Sequence, residues 1–272
     1  MTTQLPAPPN SRIAVRAEGA VLRVRLVCAD RRNTLTPSDF RHLADVIEQA
    51  PDDEALRVIE ITADGDHFCA GADLAATNDP HAERPRTGHM VRGLARNAHR
   101  AIRCMHESPL PIVAGVRGTA AGFGCNLALA ADFAMLAETA RLVEVFVDRG
   151  LSPDSGASWL IPRLVGVARA RRMLLLGEPV DGRRAAAWGL VHDAYPEDRL
   201  DAEVSALVDH LANAATLSVS LSKSLLHRGL ETGLASALEN EAYAEELAIR
   251  SLDFKEGLKA FRERRKPAFR GT

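Results

Sequence analysis

Two strand–loop–helix junctions built from small residues constrain this chain more than any other feature. In the first, the apolar run Val58-Ile59-Glu60-Ile61 and the turn Ala63-Asp64-Gly65-Asp66 lead into Phe68-Cys69-Ala70-Gly71-Ala72-Asp73-Leu74. In the second, Pro111-Ile112-Val113-Ala114-Gly115-Val116 leads into Gly118-Thr119-Ala120-Ala121-Gly122-Phe123-Gly124, then Cys125-Asn126-Leu127-Ala128-Leu129. A strand feeding a glycine-spaced loop lets another group approach the backbone closely. The helix that follows opens on amides with no internal acceptor, and such amides bind negative charge developing on oxygen. Gly and Ala at such junctions also serve merely to turn the chain. The second reading covers one junction more easily than two of the same plan.

The strand and helix signals around these junctions indicate an α/β layer architecture. Leu22, Val24, Leu26 and Cys28 alternate with Arg23, Arg25 and Val27, which reads as a half-buried strand, with Ile13–Arg16 as its hairpin partner through Glu18-Gly19. Thr36-Pro37-Ser38-Asp39 is a helix start, with Phe40, Leu43, Ala44 and Ile47 on one face. Met90–His106 reads as one helix and Ala168–Leu176 as a short basic one. After Pro196 the composition shifts to helix formers: Leu200–Ala212, Leu217–Arg228 and Ala235–Phe261 are the expected helices. The organisation expected is a short disordered arm over 1–11, an α/β core over 12–196, and an all-helical region over 197–272.

Composition narrows the function classes. The 272 residues are 46% hydrophobic and 26% charged, as in an ordinary globular protein. A net charge of −2 offers no field for nucleic acid or a membrane surface. No apolar run is long enough to span a bilayer, and the N-terminus lacks a secretory pattern, so a cytoplasmic protein is expected. Cys28, Cys69, Cys104 and Cys125 have no metal-like spacing and sit among apolar residues. They read as reduced and buried, and no metal site is expected.

The two junction motifs together, FCAGADL and GTAAGFGCNLALAADF, resemble the crotonase superfamily, also called enoyl-CoA hydratase/isomerase. The resemblance runs from about Arg12 to Phe269 and implies a spiral of ββα repeats with an all-helical C-terminal region. It implies acyl-CoA thioesters as substrates, an enolate intermediate, and an oxyanion hole made by the amides of Ala72 and Phe123. The position of Phe123 is usually glycine in the family; the backbone donor survives, but the ring can narrow the acyl pocket. Substrate contacts are implied for Ala70, Asp73, Leu74 and Gly122, and more loosely for Arg32–Leu35. Glu256 to Pro267 resembles the family's C-terminal signature, which places Lys266 near a CoA phosphate, often across a subunit interface. A basic helix end favouring its own dipole is the alternative for Lys266. No cofactor is implied beyond the coenzyme A of the substrate. The partner implied is a second copy of the chain, in a trimer or a dimer of trimers.

The family's hydratases use two glutamates, and this chain has neither. The first position is Asn126, and counting back from Gly150 puts the second at Phe146, with Glu144 nearby in the same segment. Gly150-Leu151-Ser152-Pro153-Asp154-Ser155-Gly156, continuing to Trp159–Gly166, instead resembles the branch containing 1,2-epoxyphenylacetyl-CoA isomerase. There Asp154 is the implied acid/base; a helix cap is its alternative role. One carboxylate suffices for a 1,3-proton shift, whereas hydration needs a positioned water. Enoyl-CoA isomerisation is therefore the leading expectation. Enoyl-CoA hydration through Asp154 or Glu144 comes next, and a non-catalytic acyl-CoA-binding protein after that. Hydrolytic dehalogenation of an aryl-CoA, with His99 as helper, is a further family chemistry; a solvated surface histidine is the plainer reading of His99.

Overall fold

A computed structural model describes residues 10–73 and 86–272. The core is a six-stranded sheet in the order β1-β2-β3-β4-β6-β9. Its strands are β1 (Ile13–Glu18), β2 (Val21–Leu26), β3 (Val58–Ala63), β4 (Ile112–Val116), β6 (Phe133–Ala137) and β9 (Asp193–Tyr195). A three-stranded sheet β5-β7-β8 stands beside it, made of Thr119–Ala121, Arg141–Val143 and Val180–Asp181. Only β1 and β2 in the large sheet, and β7 and β8 in the small one, pair antiparallel. The central strands are parallel and buried on both faces: Ile59, Ile61, Ile112, Val113 and Ala114 reach no solvent.

β3 and β4 are parallel neighbours, with Ile59 opposite Ile112 and Ile61 opposite Ala114. Their C-terminal ends therefore leave the sheet on the same edge, side by side. That edge is where parallel sheets place their ligands, because strand ends and helix starts converge there. The loop after β3 carries Ala72, and the loop after β4 carries Phe123.

The helices are α1 (Pro37–Gln49), α2 (His89–Arg96), α3 (Ala98–Glu107), α4 (Phe123–Leu129), α5 (Ala157–Leu176), α6 (Gly182–Trp188), α7 (Leu200–Ala212), α8 (Thr216–Gly229), α9 (Leu234–Ala248) and α10 (Leu252–Glu263). α1 starts as its sequence requires, with a capping box between Thr36 and Asp39. The single helix expected over 90–106 is two. Asn97, at φ −115° and ψ −102°, breaks it, and its side chain accepts a 2.9 Å hydrogen bond from Arg41 of α1. The helix expected over 168–176 is the second half of α5, which begins at Ala157 and is interrupted at Gly166 (φ 74°, ψ 164°). The helix expected over 235–261 is α9 and α10, because the Ser251 hydroxyl accepts from Phe254 N and starts a new helix. Cys69, Cys104 and Cys125 are buried and unpaired, while Cys28 is only half-buried. Of the expected N-terminal arm, residues 1–9 lie outside the described residues. No single described helix is long and apolar enough to cross a membrane.

One buried ion pair ties the helical region to the core. Lys223 of α8 sits 2.7 Å from Asp132, and its ammonium also donates to the carbonyls of Met105 and Leu110, both at 3.2 Å. Asp132 in turn accepts from Ile112 N at the start of β4. Burial pushes the Lys223 pKa down, against the pull of Asp132. Removing one member of such a pair strands the other, so Lys223→Ala is expected to lower unfolding stability by about 3 kcal/mol, read by urea denaturation.

Candidate active site

Three short backbone segments build the centre of the site. Leu35 N donates to Gly71 O and Asp73 N donates to Leu35 O, each within 2.9 Å, so Leu35 and Ala72 form a parallel bridge. In such a bridge the flanking residues make the bonds, and the N–H of Ala72 itself turns to the other side. Cys69 pairs in the same way with Ala120: Cys69 N donates to Thr119 O, and Ala121 N donates to Cys69 O. The two loops are thus stitched edge to edge. At Gly71 (φ 94°) a Cβ would stand 2.9 Å from Ala121 O and 3.6 Å from Phe123 N, so nothing larger than glycine fits between the loops.

The second loop closes on Gly122, whose φ of 53° and ψ of −118° belong to a region that L-residues avoid. Its N–H donates to Val143 O at 2.9 Å. Phe123 then opens α4, and its N–H has no acceptor within the helix. Among the described residues, neither Ala72 N nor Phe123 N donates to a protein acceptor. Both residues line one cavity of ≈ 110 Å³, together with Ala70, Gly71, Gly122 and Asp154.

The remaining wall is mostly apolar, with Arg149 and Ser155 as its other polar members. The Phe123 ring packs edge-on against Phe40 of α1 with centroids 4.5 Å apart, and both residues border the cavity. Leu94, Ala98, Val145, Phe146 and Leu151 continue the wall. Phe146 is a buried, apolar member of that wall.

Asp154 lies on this cavity and does not cap α5. That helix has Gly156 as its N-cap residue and no side-chain cap, and Asp154 contributes only its carbonyl, to Ala157 N. The Ser155 hydroxyl donates to Asp154 Oδ1 at 2.6 Å and orients the carboxylate. Ser155 is buried with φ 52°, a backbone state uncommon for serine. The Asn126 amide donates to the Asp154 carbonyl at 3.3 Å.

The other sequence-derived residues fall in different places. Asp73 is held by Arg12 at 2.7 Å and Arg31 at 3.4 Å, fastening its loop to the start of β1. Ala70 lines the cavity, and Leu74 lies outside the described residues. Asn33 is fully buried and structural: it accepts from Cys28 N and donates to the carbonyls of Asp64 and His67. His99 is exposed and lines a separate groove with His106 and Trp159, away from Asp154. Lys266 is exposed in the C-terminal segment and borders none of the cavity that holds Asp154. Glu144, which the sequence offers as an alternative acid or base, is 1% exposed and buried beside Cys125 and Asn126 of α4. The alternation Leu142, Glu144, Phe146 along one buried face was the available signal.

Comparison with known proteins decides the family. The enoyl-CoA hydratase/isomerase family model matches residues 16–272. The chain belongs to the enoyl-CoA hydratase/isomerase family. It is 33% identical over 260 residues to the 1,2-epoxyphenylacetyl-CoA isomerase of Escherichia coli, covering 95% of this chain and 98% of that protein. It is 32% identical over 238 residues to the crotonyl-CoA hydratase of Syntrophomonas wolfei, covering 87% of this chain and 89% of that one. The crystal structure of an enoyl-CoA hydratase from Bacillus anthracis matches with a TM-score of 0.89 at 28% identity, over 96% of this chain and 100% of that one. The fold is therefore the crotonase fold, and the chain is an enzyme of a family that processes acyl-CoA substrates.

In this family member the turn at Gly122 sets where the Phe123 amide points. Gly122→Ala forces an L-residue into φ 53°, against Val145 at 3.4 Å. It is expected to cost about 2 kcal/mol of unfolding stability, measured in urea, as forced backbone strain does. Gly150→Ala, where a Cβ meets open space at a positive φ, is expected to cost less.

Proposed function

We propose that the enzyme moves a double bond within an enoyl-CoA thioester by a 1,3-proton shift. The observation that carries this reading is that Asp154 lines the same small cavity as Ala72 and Phe123, whose amides donate to no acceptor among the described residues. The thioester oxygen binds between those amides. With a 3-enoyl substrate, Asp154 takes a proton from the α-carbon; the C–H electron pair moves toward the carbonyl, and negative charge collects on the thioester oxygen. The amides are fixed by the loop stitching, so they stabilise that charge without reorganising. The electrons then return to form the conjugated double bond, and the original one takes the same proton from Asp154 at the γ-carbon. No water is consumed and the carboxylate ends as it began.

Asp154 alone among the cavity's lining residues carries a carboxyl group, which supports isomerisation over hydration. Hydration needs polar groups to hold a water. Here Asn126 and Phe146 stand where the family's hydratases carry glutamates, and Glu144 does not border the cavity. Asp154→Asn keeps shape and removes the base. It is expected to lower kcat on 3-enoyl-CoA by about 10²-fold or more with KM little changed. Product masses distinguish the outcomes: isomerisation leaves the mass unchanged and hydration adds one water. A hydrated product as the main one overturns the reading.

The same reading includes assembly into a trimer through residues after Pro196. Leu226, Leu230, Leu234, Leu238, Tyr243 and Phe261 expose large apolar surfaces along α8 to α10. An apolar groove of ≈ 640 Å³ runs between α5 and α8 beside them. Surfaces of this kind mark contacts between proteins, and a cyclic assembly buries one set per subunit. In this arrangement Lys266 reaches a CoA phosphate at the subunit boundary. Sedimentation is expected to give a trimer or a multiple of it at micromolar protein, and a stable monomer contradicts the claim.

A further inference from the structure

Glu144 is the one group under the site that the proton shift above does not use. It follows β7, with its side chain buried beside Cys125 and Asn126 of α4 and within electrostatic reach of Asp154. Among the described residues, neither of its carboxyl oxygens has a hydrogen-bond partner. The neighbouring Asn126 Oδ1 is buried and unpaired as well, while Asn126 Nδ2 holds the Asp154 carbonyl. The cluster thus has acceptors in excess and is short of a donor. Leaving buried acceptors unpaired is costly, and a buried unpaired negative charge more so. A single proton on Glu144 relieves both costs.

We propose that Glu144 is a positioning residue that works as a neutral carboxylic acid, donating its proton into the buried Asn126–Asp154 unit and keeping a second negative charge away from Asp154. The unit then runs from β7 through α4 to the loop before α5. Glu144 steadies Asn126, Asn126 holds the Asp154 carbonyl, and Ser155 orients the Asp154 carboxylate. Burial, with the charge of Asp154 adding to it, pushes the Glu144 pKa up to about 8, while Cys125 and Asn126 pull the other way without meeting it in ordinary hydrogen-bond geometry. The titratable groups that face Glu144 are Cys125 from α4 and Asp154 from the loop before α5. Cys125 is itself neutral, since burial pushes its thiol well up.

The stability consequence has a definite sign. The folded pKa lies above the unfolded one, so the folded protein holds the extra proton between the two values. Stability from this group is full below the ordinary glutamate range and is lost as pH rises toward about 8.

The kinetic half of the test rests on Asp154 being the acid/base; the spectroscopic half needs no substrate. In infrared difference spectra, wild type minus Glu144→Gln, a neutral-carboxyl C=O band is expected at pH 7, disappearing as pH rises through about 8. Melting temperature should fall from pH 5 to pH 8 more steeply in wild type than in Glu144→Gln. On 3-enoyl-CoA, Glu144→Gln is expected to keep kcat within about two-fold at pH 7 and to lack the wild-type decline near pH 8, because the amide remains a neutral donor. Glu144→Leu, of similar size without a donor, is expected to lose about 10-fold in kcat with KM unchanged. Absence of the band at pH 7, or parallel melting profiles, overturns the proposal whatever the substrate turns out to be. An unaltered alkaline decline in Glu144→Gln, or equal activity of the Gln and Leu variants, overturns the positioning role. A band with no isomerase activity in any variant sinks the isomerase reading and leaves the neutral acid in place.

Discussion

The contact on which the site depends is between two backbones. The Cys69 carbonyl accepts the Ala121 amide while the Cys69 amide reaches the Thr119 carbonyl. This brings two loops from neighbouring parallel strands into one bridge. The bridge forces Gly71 against Ala121 and, among the described residues, leaves the amides of Ala72 and Phe123 without protein acceptors. At Gly71 and Gly124 a side chain larger than hydrogen would push the loops apart, which is why those two positions are glycine. Unpaired backbone donors at a buried edge normally cost stability; here the surrounding sheet supplies it.

The charge arrangement beneath that bridge is asymmetric. Asp154 borders the cavity, with its carboxylate bonded by Ser155 and its carbonyl by Asn126. Glu144 lies within electrostatic reach of it but is sealed from the cavity, and burial favours its neutral form. The two carboxyls in one neighbourhood thus differ in solvation. Phe40, Phe123 and Phe146 line the cavity beside the first.

The helical region is fastened independently of this chemistry. Lys223 closes its charge against Asp132 and two carbonyls. At the far end, the buried Asp253 accepts from the amides of Arg270 and Gly271 and pins the C-terminal segment. Between these anchors α9 presents Leu234, Leu238 and Leu247 outward.

Much of this was legible in the sequence. The alternation in β2, the capping box of α1, the bounds of α7 and both junction loops are local patterns set by side-chain periodicity and turn chemistry, and they appear where those patterns put them. The start of α10 was legible too, through Ser251, but was hidden by an unbroken run of helix formers. The break at Asn97 was not legible, because Arg41 of another helix holds it. Nor was the burial of Glu144 beside Asp154. The sequence by itself determined which backbone segments can approach closely and which carboxylate follows the Gly-x-x-Pro turn, since these depend on neighbours along the chain. Only the tertiary structure decided which carboxyl borders the cavity and which is sealed under it, because solvation depends on elements far apart in sequence packing over the same point.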